Sequence, residues 1–161
     1  MAGLALRQAR LPDDEPYFVR FIDGLQAFEA PMEPNRRLDA AAGADYWAVL
    51  KREVAVKDGR IFVLADDDDR PTGWAVCLIE HEEVFVVEDQ RTYGLITELY
   101  LDAEARGAGG GRRLIEACEA HFRERGVAIA RLGVLWDNAR ARAVYAALGY
   151  APADLRMRKR L

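Results

Sequence analysis

Three observations predict a mixed α/β fold, with a partly antiparallel central sheet flanked by helices. Four segments repeat apolar residues at helical spacing. Shorter runs rich in β-branched and aromatic residues fall between them. The helices and strands are interleaved rather than segregated, which favours helices packed on a sheet over separate bundles and sandwiches. The 161 residues fit one domain spanning 1–161. A chain of that length buries ~70% of its unfolded surface and needs no disulfide or metal to hold it.

The elements follow in order. Leu4 to Gln8 alternates and predicts a first strand. Pro12-Asp13-Asp14-Glu15-Pro16 supplies acids and prolines suited to a first helical turn. Phe18, Phe21, Ile22, Leu25 and Phe28 then make one apolar face, so this helix reaches about Glu29. A second helix is expected from Asp39 to about Val56, carrying Tyr46, Trp47 and Leu50. Ile61–Ala65 and Gly73–Glu80 read as a strand pair around Asp66-Asp67-Asp68-Asp69, a solvated turn without the ligand spacing of a calcium loop. Val84–Glu88 and Leu95–Leu101 read as a further pair. Leu114, Ile115, Cys118 and Phe122 line a helix over Gly109–Arg125, closed by Gly126. Val127–Trp136 reads as a buried strand. Asp137 or Asn138 caps a short helix to Leu148, closed by Gly149, and Tyr150 to the end returns as an extended segment.

Composition narrows the function. Hydrophobic residues at 51% and charged residues at 31% describe a soluble globular chain. No apolar run approaches the ~20 residues of a membrane span, and the stretch from Met1 to Arg7 has no signal-peptide core, so a cytoplasmic protein is expected. The chain contains no serine, which excludes a serine nucleophile. Cys77, Cys118, His81 and His121 form no close metal-ligand pair, so no metal is expected, and two scattered cysteines fit a reducing compartment. A net charge of −4 disfavours nucleic acid as a partner. Residues 1–90 carry 19 acids and 10 bases, whereas 91–161 carry 8 acids and 13 bases. That asymmetry fits a cationic ligand beside an anionic one, or simply two solvated faces.

The most informative stretch runs from Ile96 to Leu114, where a strand ends, a turn containing Gly107, Gly109, Gly110 and Gly111 follows, and a helix begins. Glycines let successive N–H groups point into one concavity, and the helix start adds a partial positive charge, so the turn suits a phosphate. Arg106, Arg112 and Arg113 add full charges. A Walker A loop fails because Arg112-Arg113 stands where G-K-[ST] is required. A dinucleotide fingerprint fails because its last glycine is Arg112.

Arg106-x-x-Gly109-x-Gly111 after a strand resembles the coenzyme A signature of the GCN5-related N-acetyltransferases (GNAT). Asn138-Ala139-Arg140-Ala141-Arg142-Ala143-Val144-Tyr145-Ala146-Ala147-Leu148-Gly149-Tyr150 resembles that family's N-x-x-A-x-x-x-Y-x-x-x-G-[FY] segment, in the family's order. Gly110 departs from the usual aliphatic residue and is expected to loosen the first helical turn by ~1 kcal/mol.

The resemblance implies an enzyme that moves an acetyl group from acetyl-CoA directly to a primary amine. It implies a cofactor arm lying between two splayed parallel strands. Main-chain groups of Leu99, Tyr100 and Leu101 would bond the pantetheine. The turn Arg106, Gly107, Ala108, Gly109, Gly110, Gly111 and Arg112 would hold the pyrophosphate. Asn138 would touch the cofactor or cap its helix. Tyr145 would be the acid that protonates the leaving thiolate, or a core aromatic. Glu98, on the opposite strand face from Leu99 and Leu101, is the candidate base, or an exposed carboxylate, with His81 second. Acids Glu29, Glu33, Glu82, Glu83, Glu88 and Asp89, with Phe28, Tyr46 and Trp47, would receive a cationic small-molecule or peptide amine. A homodimer is a common assembly in the family. The competing reading is a non-catalytic acyl-CoA-binding module using the same loop.

Overall fold

The computed structural model describes residues 3–161, so the start of the stretch read for a signal segment, Met1-Ala2, lies outside the described residues. The strands are β1 (Ala5–Gln8), β2 (Arg60–Ala65), β3 (Pro71–His81), β4 (Thr92–Leu101) and β5 (Ala130–Leu132). The helices are α1 (Glu15–Glu29), α2 (Ala42–Val56), α3 (Gly110–Glu124) and α4 (Ala139–Ala147). The strands form one sheet in chain order. β1 to β4 pair antiparallel, and β5 joins parallel to β4 after the α3 crossover. The mixed α/β architecture read from the sequence is the one observed.

Each face of the sheet carries its own core. Phe18, Phe21 and Ile22 of α1 and Trp47 and Leu50 of α2 cover Ile61, Val63, Trp74 and Val76. Phe18 stacks on Trp74 at 4.8 Å between ring centroids, and Trp47 meets Phe18 edge-on at 5.1 Å. Leu114, Ile115, Cys118 and Phe122 of α3 cover Leu64, Ala75, Cys77 and Ile96 on the other face. β3 is thus buried on both faces, which is why its sequence is apolar without alternation. The helix ends behave as their glycines predict. Gly126 (φ +71°) and Gly149 (φ +93°) are left-handed, and the residues after them, Val127 and Tyr150, donate back to Phe122 and Tyr145 at 2.9 and 3.0 Å.

Three details differ from the sequence reading, and one gains an anchor. Val84–Glu88 is no strand, because β3 runs on to His81 and pairs there with Thr92. Val84 and Phe85 are left 81% and 82% exposed, and the Arg91 guanidinium takes the carbonyls of Val86 and Val84 in place of a ladder. Within 127–136 only Ala130–Leu132 finds a partner strand. No strand forms after Tyr150; that segment is tethered instead by the Tyr150 hydroxyl on Glu119 (3.0 Å) and by Arg158 beside Glu33 (2.7 Å). The acidic turn is exposed but anchored. Asp69 accepts from Arg7 Nε at 2.8 Å, while the same guanidinium grips buried Asp14 at 2.7 and 3.1 Å.

Candidate active site

The turn between β4 and α3 explains its own glycines. Gly107 (φ +89°) and Gly109 (φ +78°) are left-handed, with open space where a side chain would go, so glycine serves the backbone there. Gly110 is glycine for the opposite reason. A Cβ on it would stand 2.7 Å from Leu64 Cδ1 and 2.8 Å from Leu101 Cδ2. The departure expected to loosen the first turn instead lets α3 start directly against the sheet. Gly109 caps α3, and Arg113 N–H to the Gly109 carbonyl (3.2 Å) is the first bond back across the helix start. The N–H groups of Gly110, Gly111 and Arg112 thus have no partner in the turn before them. Arg112 lies within reach of Glu116, 3.9 Å away at the surface. Arg106 donates to the Leu101 carbonyl at 2.9 Å and lies over the rings of Tyr100 and Phe28, while Arg113 turns away to the Leu4 carbonyl.

A bulge in β4 sets which side chains face which core. Val76 pairs with Glu98 and Cys77 with Ile96, so Thr97 is an extra residue, its hydroxyl donating to the Val76 carbonyl at 3.3 Å. Without it Ile96, Glu98 and Tyr100 would share a face. With it Ile96 packs under α3, together with Leu99 and Leu101, while Tyr100 packs towards α1. β4 and β5 stay paired only from Gly94↔Ala130 to Ile96↔Leu132. Beyond that the edge of β4 at Leu99, Tyr100 and Leu101 has no strand beside it, although β3 still pairs along its other side. A cleft of about 490 Å³ opens where the strands part. Into it come Glu98 to Leu101, the turn from Arg106 to Arg112 except Ala108, and Asn138, Arg140 and Tyr145 of the last helix and its cap.

Glu98 is 6% exposed rather than a surface carboxylate. Its Oε1 accepts the Tyr46 hydroxyl at 2.6 Å. Burial pushes its pKa up to about 7; the Tyr46 hydrogen bond opposes the rise, Glu29 adds to it and Arg36 opposes it. A carboxyl held there exchanges a proton readily at neutral pH. Tyr145 is half-buried against the α3 core and edge-on to Tyr150 at 6.3 Å. Burial, and then Glu29, raise its pKa, keeping the phenol protonated. Asn138 Oδ1 accepts the Ala141 N–H at 3.1 Å, so it caps α4 while also lining the cleft.

Not every predicted residue arrives. Ala108 is exposed and outside the lining. His81 sits at the far end of β3 against Thr92, away from the cleft. Glu82, Glu83, Glu88 and Asp89 belong to the β3–β4 connection, and Trp47 is core. Of the acids expected to receive an amine, Glu29 lines the cleft, paired to Arg36 at 2.7 Å. Arg140 enters the lining unforeseen, and its place in the Asn138–Tyr150 segment was the available signal. Among the described residues no group of three His, Cys, Asp or Glu is placed to hold a metal, and no helix is long and apolar enough to cross a membrane.

The acetyltransferase (GNAT) family profile matches residues 22–150. Among solved structures, a point mutant of the BH1408 protein of Bacillus halodurans superposes with a TM-score of 0.81 at 21% identity, covering 98% of this chain and 99% of that one. A GCN5-related N-acetyltransferase from Ralstonia eutropha gives 0.76 at 25% identity, over 99% of both chains. Glucosamine-6-phosphate N-acetyltransferase from Arabidopsis thaliana gives 0.71 at 14% identity, over 98% of both. No curated protein matches the sequence. The matched region contains the glycine turn, the parting strands and the Asn138–Tyr150 segment, and the chain belongs to the acetyltransferase (GNAT) family.

Proposed function

We propose that residues 1–161 act as one N-acetyltransferase domain, transferring the acetyl group of acetyl-CoA directly to a primary amine on a cationic small molecule or peptide. The observation that carries the reading is one cleft holding an open glycine turn, an unpaired β4 edge, a buried carboxyl and a half-buried phenol. The cradle fits the cofactor: unpartnered N–H groups at the start of α3 suit a pyrophosphate, and Arg106, Arg112 and Arg140 add positive charge. The edge of β4 at Leu99, Tyr100 and Leu101, with no strand beside it and the Leu101 carbonyl already accepting from Arg106, suits the amides of pantetheine. Acetyl-CoA would supply the acetyl group as an activated thioester.

The chain's own residues then move protons. A free alkylammonium with a pKa near ~10 has no lone pair to attack with. Glu98 removes its proton, directly or through a water, and returns to the carboxyl form. As the C–N bond forms and the C–S bond breaks, Tyr145, closer to a thiol in acidity than a carboxyl is, gives its phenolic proton to the departing sulfur and is reprotonated by the second proton that the acylated nitrogen sheds; the proton held by Glu98 leaves to solvent. Glu29 and Phe28 stand on the acceptor side, where a cationic amine would share Glu29 with Arg36 and the Phe28 ring with Arg106. Of the six acids that the composition offered for this role, Glu29 lines the cleft.

The test is thiol release from acetyl-CoA across a panel of neutral, anionic and cationic amines. Turnover is expected with cationic amines, and Tyr145→Phe should lower it while sparing acetyl-CoA affinity. Acetyl-CoA binding without thiol release from any amine would overturn the enzyme reading in favour of a binding module.

A further inference from the structure

α2 delivers one polar group, absent from the family motifs, to a residue that lines the cleft. Tyr46 is half-buried on the helix, one residue before Trp47, whose indole sits in the aromatic core and donates to Glu15 Oε2 at 3.0 Å. That anchor fixes the turn of α2 from which Tyr46 projects. The Tyr46 hydroxyl reaches across to β4 and donates to Glu98 Oε1 at 2.6 Å. Glu98 shares its β4 face with Tyr100, which packs against the α1–α2 core, while the bulge at Thr97 turns Ile96 to the opposite face.

We propose that Tyr46 is a positioning residue: its hydroxyl occupies one oxygen of Glu98, holding the carboxylate in a single orientation with the other oxygen left to take the acceptor's proton. The inference rests on the proposed role of Glu98. A buried carboxylate with no donor has neither a fixed rotamer nor compensation for lost water. The charged groups acting on this pair come from every neighbouring element: Glu29 from the end of α1, Arg36 from the α1–α2 loop, and Glu53 from α2 itself. Burial, then Glu98, and after them Glu29 and Glu53 raise the Tyr46 pKa, so the hydroxyl stays a donor throughout the working range. Glu29 opposes ionisation of Glu98, and Arg36 and Tyr46 favour it. Arg36 is itself engaged with Glu29, so Tyr46 is the direct hydrogen-bond donor to the charged form.

The experiment is the pH profile of kcat/KM for thiol release in the intact protein, for wild type, Tyr46→Phe and Glu98→Gln. Phenylalanine keeps the ring and its packing and removes only the hydroxyl. A lost charge-assisted hydrogen bond should move the acidic limb upward by about 1 to 2 pH units. Turnover at pH 7 then falls about fivefold or more and recovers towards wild type by pH 9. Loss of equal size at every pH, or a limb that does not move, overturns the positioning role, including in a variant that merely melts at lower temperature. Glu98→Gln separates the two readings. If it keeps full turnover, the proposed base is wrong. If it is inactive while the Tyr46→Phe limb stays in place, only the inference about Tyr46 fails.

Discussion

Replacing Glu98 with glutamine should stabilise this protein while removing its activity. Glutamine keeps an oxygen for the Tyr46 hydroxyl and discards the buried charge. The Glu98 carboxyl sits at about 7 in the folded chain against an ordinary 4.5. At ~1.4 kcal/mol per pH unit, that gap makes the ionised side chain cost the folded state about 3 kcal/mol. The sign follows from which state holds the proton. Below pH 4.5 both states are neutral and Glu98 costs nothing. Between 4.5 and 7 the unfolded chain ionises while the folded one keeps its proton, so stability falls as pH rises. Above 7 the full penalty persists. Urea unfolding followed by the fluorescence of buried Trp47 and Trp74 measures it. Glu98→Gln should exceed wild type by about 3 kcal/mol at pH 8, narrowing to below about 0.5 kcal/mol at pH 4.5. Thiol release by the same variant should drop by roughly two orders of magnitude or more. A variant no more stable than wild type at pH 8, with a gap indifferent to pH, would refute the claim that this carboxyl resists ionisation.

Other substitutions test the frame around it. Gly94→Ala would put a Cβ 2.3 Å from the buried Phe122 ring, so its urea midpoint should show a loss of about 1–3 kcal/mol, partly restored by Phe122→Leu. Gly109→Ala meets no neighbour but forces φ +78° on an L residue; it should cost ~1–2 kcal/mol and weaken acetyl-CoA binding measured by calorimetry. Asn138→Ala removes the α4 cap and should cost about 0.5–2 kcal/mol in thermal unfolding. Turnover should fall with it, because α4 carries Tyr145, and Asn138→Asp should recover most of both.

Where a signal was local, the chain could be read directly. The amphipathic helices, the glycine caps at Gly126 and Gly149, and the Arg106–Gly111 turn all depend on near neighbours in sequence. The Val84–Val87 run has every local mark of a strand and forms none. Strand formation needs a partner edge, and β3 and β4 zip together without it. Glu98 is visible in the sequence as a carboxylate on the strand before the glycine turn, but its burial and its bond to Tyr46 are not. Those depend on α2, 52 residues away in sequence. The six acids that made the acceptor region look strongly negative are mostly spread along the β3–β4 connection, and the composition could not separate them from Glu29.

The sequence by itself determined the family motifs, the helix faces and the turn whose backbone suits a diphosphate, because these are set by spacing and by conformational freedom within a few residues. Tertiary structure alone decided that β4 carries a bulge, that β4 and β5 part beyond Ile96, and that Glu98 is sealed beneath Tyr46. Register and desolvation arise from segments far apart in the chain, and both are free to change while the local pattern stays the same.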